Sequence, residues 1–121
     1  MTHIDPNAPM PAGTVLFVAG ITGSGRGDYL RSLSEIQTLA GAPLQVFDGS
    51  DIENVAKAAE LAESKSCVAA TIHAITTVPA AESRLKALGW QAPAGVNVRV
   101  ALCEIMSDGR KVVRVHQLAS H

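Results

Sequence analysis

From Thr14 to Ala19 the chain reads Thr-Val-Leu-Phe-Val-Ala, an unbroken and partly β-branched apolar run that Gly20 closes. A run of that length predicts a strand covered on both faces, as in a parallel sheet. After a glycine-rich stretch, Leu30, Leu33, Ile36 and Leu39/Ala40 recur at roughly helical spacing, predicting a helix over Asp28–Ala40 that Gly41 and Pro43 end. Leu44–Phe47 reads as a short second strand leading into Asp48 and Gly49. Ser50 and Glu53 have the spacing of a capping box with Asp51 in the first turn, and Ile52, Val55, Ala56, Ala59 and Ala62 form one apolar face through Glu63.

Cys67–Ile72 is a third apolar run, with His73 at its C-terminal end. Pro79 sits near the start of another helix, where its missing N–H costs little. Val78, Ala81, Leu85 and Leu88 give that helix an inner face, and Gly89 caps it. The period then changes. Val96, Val98, Val100 and Leu102 alternate with other residues up to Met106, Ser107–Arg110 signals a turn, and Lys111–Leu118 reads as a returning strand. The order β-α-β-α-β-α-β-β predicts an α/β fold: a three-layer, mostly parallel sheet with right-handed crossovers and a C-terminal antiparallel hairpin. Residues 1–12, with Asp5 and three prolines, are expected as a flexible leader, and residues 13–121 as one compact domain.

Composition narrows the function. Ten Lys+Arg stand against eleven Asp+Glu with no basic stripe, so no nucleic-acid partner is expected. Met1–Pro11 has no apolar core of a signal peptide, and no stretch approaches the ~20 apolar residues that cross a bilayer. A cytoplasmic protein without membrane insertion is expected. Cys67 and Cys103, far apart and each in an apolar run, read as buried thiols of a reducing compartment. His3, Glu104, His116 and His121 have neither metal-ligand nor nucleophile–base spacing, so no metal site is expected. Trp90 reads equally as a lid on the core or as an anchor for a partner.

Gly20-Ile-Thr-Gly-Ser-Gly-Arg-Gly27 carries the candidate chemistry. Between a buried strand and a helix, glycines let the backbone curl until successive N–H groups converge on phosphate oxygens, and the helix N-terminus adds partial positive charge. Gly20 and Gly25 have the separation of the phosphate-loop pattern G-x-x-x-x-G-K-[ST]. The nucleotide-binding candidates are Gly20, Thr22, Gly23, Ser24, Gly25, Arg26 and Gly27. Arg26 replaces the lysine with a larger planar fork. Gly27 replaces the hydroxyl that binds Mg²⁺, so ATP or ADP is expected without a metal held in the standard way and with inefficient hydrolysis. A glycine-rich turn that binds nothing is the competing reading.

With those residues in view, the chain resembles the type II/type IV secretion and pilus ATPases, the PilT/GspE-type motors and their conjugation and Dot/Icm-type relatives. Val18–Gly25 is similar to the family's V-x-G-x-T-G-S-G stretch. Ser50–Glu63 resembles the segment after its Walker B box, Val68–Ala74 its histidine box, and Ala81–Leu85 with Leu88-Gly89 the helix that follows. The resemblance covers most of residues 14–118 and implies a RecA-like P-loop NTPase fold, a homo-oligomer or a component of secretion or conjugation machinery, and ATP-driven work. By position it places Asp48 where the family's Walker B glutamate stands and His73 at the histidine box, the two catalytic candidates. Departures are large: Asp48 is one methylene shorter, Ser50 replaces an arginine, and few residues separate the first helix from Leu44. A shortened, degenerate relative with weak nucleotide or anion binding and an accessory role is the expectation. An active ATPase subunit and a non-nucleotide-binding interaction module are the alternatives.

Overall fold

The computed structural model describes residues 4–21, 23–48, 52–73 and 75–118, with His73 described through its backbone alone. Thr22, Ser50, Asp51, His3 and His121, named above, lie outside the described residues. The elements are β1 (Thr14–Gly20), α1 (Arg26–Leu39), β2 (Leu44–Asp48), α2 (Ile52–Glu63), β3 (Cys67–His73), α3 (Val78–Ala87), β4 (Asn97–Ile105) and β5 (Lys111–Gln117). They match the expected order element for element.

The sheet runs β2-β3-β1-β4-β5. β1 pairs in parallel with both β3 and β4, β2 pairs in parallel with β3, and β5 returns antiparallel to β4. β3 is therefore inserted between β1 and β2. Because successive strand residues face opposite sides, β1 serves two cores at once. Val15, Phe17 and Ala19 join Val55, Ala58 and Ala62 of α2 and Ala81 and Leu85 of α3 on one face. Leu16 and Val18 join Tyr29 and Leu33 of α1 on the other. Every residue of β1 is buried. This three-layer sandwich explains the unbroken apolar runs.

Small side chains shape the packing. Ala58, Ala59 and Ala62 are at most 2% exposed, letting α2 approach the sheet closely. Ala56, expected on that face, points to solvent, and Ala58 takes its place. In α1 the buried positions are Tyr29, Leu33 and Gln37, and Leu39 is 89% exposed. A buried Gln37 is tolerated because its amide is used at both ends: Oε1 accepts from the Met10 backbone N–H, and Nε2 donates to the Ala42 carbonyl at 3.0 Å. The helix is thus rotated relative to its leucine stripe.

Thr77 caps α3 by accepting the Ala80 N–H at 3.2 Å. Leu88 is that helix's C-cap, and Gly89 follows it with φ +78°. Trp90 meets Phe17 edge-on, with centroids 5.3 Å apart at 75°. It acts as a lid on the core. Ahead of β1, Ile4 bridges Val115, Met10 is 6% exposed, and the Pro6 carbonyl accepts from Tyr29 Oη at 3.2 Å. These contacts involve residues 4–10 of the stretch expected as a leader. Its apolar residues, spaced among polar ones, find partners on the sheet and on α1. No helix among the described residues is long and apolar enough to cross a membrane.

Candidate functional site

The site lies where β1, β3 and β2 end, the edge at which open α/β sheets gather ligands. Gly20 ends β1 level with His73 of β3. The chain then turns back on itself, with the Ser24 N–H donating to the Ile21 carbonyl at 3.1 Å. Gly23 and Gly25 take φ of +81° and +94°, left-handed values that cost a residue with a Cβ about 1–2 kcal/mol. Gly25 is the N-cap of α1, and no side chain among the described residues caps the helix there. A helix N-terminus of this kind points its first-turn amides toward the loop, the geometry that favours an anion.

Gly20 is needed for a different reason. A Cβ there would collide with Ser24 Oγ and sit 2.8 Å from the Cys103 carbonyl oxygen. Ser24 is 1% exposed, and its hydroxyl makes no hydrogen bond among the described residues. It is packed under the loop. Cys103, beside it on β4, has its thiol pushed up to about 11 by burial, offset in part by the charge of Arg26. It is a buried structural thiol, inert at neutral pH. Cys67 is also free and buried, and its thiol is raised by burial.

Above the loop is a cleft of about 370 Å³, floored by Gly23, Gly25 and Gly27 and lined by Arg26, Asp28, Thr71 and Lys111. That volume is at the small end of ligand sites and suits a chain of phosphates. Arg26 spans the gap between α1 and β3, its Nη1 donating to the Ile72 carbonyl at 3.3 Å. Lys111, at the start of β5, reaches the same cleft, with Nζ 3.9 Å from Asp28 Oδ2. Lys111 was not singled out by the sequence reading. Only the strand order, which sets β5 beside β4 and starts it at the loop's edge, reveals its place.

The structure brings together Gly23, Gly25, Arg26 and Gly27 at the cleft, with Gly20 and Ser24 beneath it. Asp48 ends β2, exposed, in register with Thr71, which is in register with Val18. It stands two strands from β1, about 10 Å at ordinary strand spacing. His73 ends the intervening strand, beside Gly20. Both candidates share the loop's edge of the sheet. For Mg²⁺ the fit is poor: a Cβ on Gly27 would meet nothing within 4 Å, so open space stands where the hydroxyl ligand belongs. Among the described residues no group of three or more His, Cys, Asp and Glu could hold a metal. A second cavity, of about 680 Å³, lies between α3 and the N-terminal half of β4, lined by Trp90, Leu85, Val98 and Leu118. It is remote from the loop.

Among solved structures, the X-ray structure of the ATPase DotB from Legionella pneumophila aligns with this architecture over 91% of the chain, with a TM-score of 0.58. The chain shares the fold of the aligned part of that ATPase. Sequence identity is 17%, a level that establishes the architecture rather than the activity, and the chain spans 46% of DotB's length. No protein-family model and no curated protein matches the chain.

Proposed function

We propose that the chain binds the phosphates of ATP or ADP at Gly20–Gly27, weakly and with little hydrolysis. In this reading it acts as an accessory, protein-binding relative of the secretion and pilus ATPases. The observation that carries the proposal is the pair of left-handed glycines, Gly23 and Gly25, leading into an α1 N-terminus that no side chain among the described residues caps. A turn needed only to connect β1 with α1 has no use for a cationic cleft above it. The architecture shared with an ATPase supports the same reading.

Binding and turnover separate on the residues present. Backbone N–H groups and the helix terminus are sufficient to hold an anion. Hydrolysis needs in addition a metal ligand beside the loop and a group that orients water. Gly27 offers no such ligand. Asp48 and His73 are the residues that would act on water, at the ends of β2 and β3. A partner-binding role, as one copy in a ring or as part of a secretion or conjugation assembly, rests on the family resemblance.

The test is thermal unfolding with and without ADP or ATP, with and without Mg²⁺, alongside a phosphate-release assay. A ligand at 100 times its Kd stabilises the native state by about 2.7 kcal/mol. A rise in melting temperature without phosphate release is expected. A rise with release supports an active ATPase, and no rise supports an interaction module without nucleotide. The double substitution Arg26→Lys with Gly27→Ser then asks whether hydrolysis is latent. Phosphate release gained only in that variant identifies the loop as the missing part.

A further inference from the structure

We infer that Lys111 supplies, from β5, the ammonium charge that the loop lacks at position 26, so that the phosphate chain is held between the α1 N-terminus and a lysine outside the loop. The inference rests on the nucleotide reading above and deepens it by naming the cation.

Three features of the cleft lead to it. Arg26 stands in the ordinary lysine position, but Nη1 of its guanidinium is engaged by the Ile72 carbonyl at 3.3 Å. A planar fork bound to the end of β3 is a poor stand-in for a compact ammonium over the phosphates. Lys111 approaches from the opposite wall. Its stem lies along the loop, with Cδ 3.1 Å from where a Cβ on residue 25 would stand, so glycine at 25 leaves room for it. Its head group is about half exposed and lies 3.9 Å from Asp28 Oδ2, in the first turn of α1. A stem packed on backbone with its charge kept in water is how lysine serves a wet anion site.

Strand order makes this reach possible. Lys111 pairs with Ile105 at the C-terminal end of β4, which runs parallel to β1. The hairpin therefore returns to the sheet edge from which the loop springs. Asp28 is the counterpart of this arrangement. Its carboxylate lies at the same helix terminus and occupies Lys111 when no anion does. An entering phosphate must displace that pairing and bind beside a like charge. Asp28 thus weakens anion binding while Lys111 strengthens it.

Isothermal titration of the intact chain with ADP, and separately with inorganic pyrophosphate, tests the assignment. Lys111→Ala is expected to raise both Kd values about tenfold, the effect of losing one charge-assisted contact. Lys111→Arg should retain most of the affinity, and Asp28→Asn should lower Kd about threefold. The salt dependence of binding should become shallower in Lys111→Ala. Unliganded melting temperatures should stay close to that of the unaltered chain, because both side chains are exposed. If the unaltered chain binds and Lys111→Ala binds equally well, the lysine's role is overturned and the loop reading stands. If the unaltered chain binds neither probe, both are overturned.

Discussion

Replacing Gly20 with alanine tests whether the loop is wrapped around the end of β1 as described. Two costs combine. The residue takes φ +155°, in a region that residues with a Cβ rarely adopt, at about 1–3 kcal/mol. The new methyl would also meet Ser24 Oγ and the Cys103 carbonyl, the latter at 2.8 Å. The serine hydroxyl can rotate, but the carbonyl belongs to β4, which is held between β1 and β5 and cannot withdraw. Overpacking of this kind costs about 1–3 kcal/mol, so a total near 4 kcal/mol is a fair central value. At ~2.1 cal/mol/K per residue, 121 residues give an unfolding entropy of roughly 0.25 kcal/mol/K and a fall in melting temperature of about 16 °C. Circular dichroism melts of Gly20→Ala and Gly23→Ala, run together, provide the assay. Gly23 has a similar conformational demand, φ +81°, but nothing within 4 Å of its would-be Cβ, so it should lose only about 4–8 °C. Equal losses in the two variants would refute the close approach of Ser24 and Cys103 beneath Gly20.

Two further outcomes follow from the same geometry. Gly27→Ala, in the first turn of α1 with open space around its Cβ, should stabilise the chain by about 0.5 kcal/mol through helix propensity, seen as a rise of about 2 °C. Cys103 should make stability fall at alkaline pH. Its folded value of about 11 lies above the ordinary 9.0, so the native state holds the proton more tightly than the unfolded chain. The contribution is complete below pH 9 and is lost as pH rises through about 11, at up to ~1.4 kcal/mol per pH unit. Urea titrations at pH 8, 9, 10 and 11 on the unaltered chain and on Cys103→Ala measure it. A slope unaffected by the substitution would assign the loss to other groups.

Most of the architecture was legible because its elements carry undiluted periodic signals. Thr14–Ala19 and Cys67–Ile72 are apolar on both faces because helices cover both faces, and the change to alternation after Val96 marked the hairpin. The helical faces were read less well. In α1, Leu30, Ile36 and Leu39 drew attention to one stripe, yet Gln37 is buried, through hydrogen bonds to residues 10 and 42 that no local pattern announces. In α2 a run of alanines is nearly degenerate, and Ala56 and Ala58 could exchange roles at little cost in hydrophobicity. The loop was legible in its glycines, since Gly20, Gly23 and Gly25 all take φ values that favour glycine. Lys111 was not. It lies far from the loop in sequence and reaches it only because β4 joins the sheet beside β1 and β5 turns back. Proximity created by strand order leaves no spacing to read.

The central claim is that the backbone amides of the loop and of the first turn of α1 receive phosphate. A ¹⁵N-resolved NMR titration of the chain with ADP observes those amides one by one. The account predicts progressive, saturable shifts at Gly23, Ser24, Gly25, Arg26, Gly27 and Asp28, while Trp90 and Val98, on the remote cavity, stay in place. An unmoved loop, or shifts confined to Trp90 and its neighbours, would contradict it.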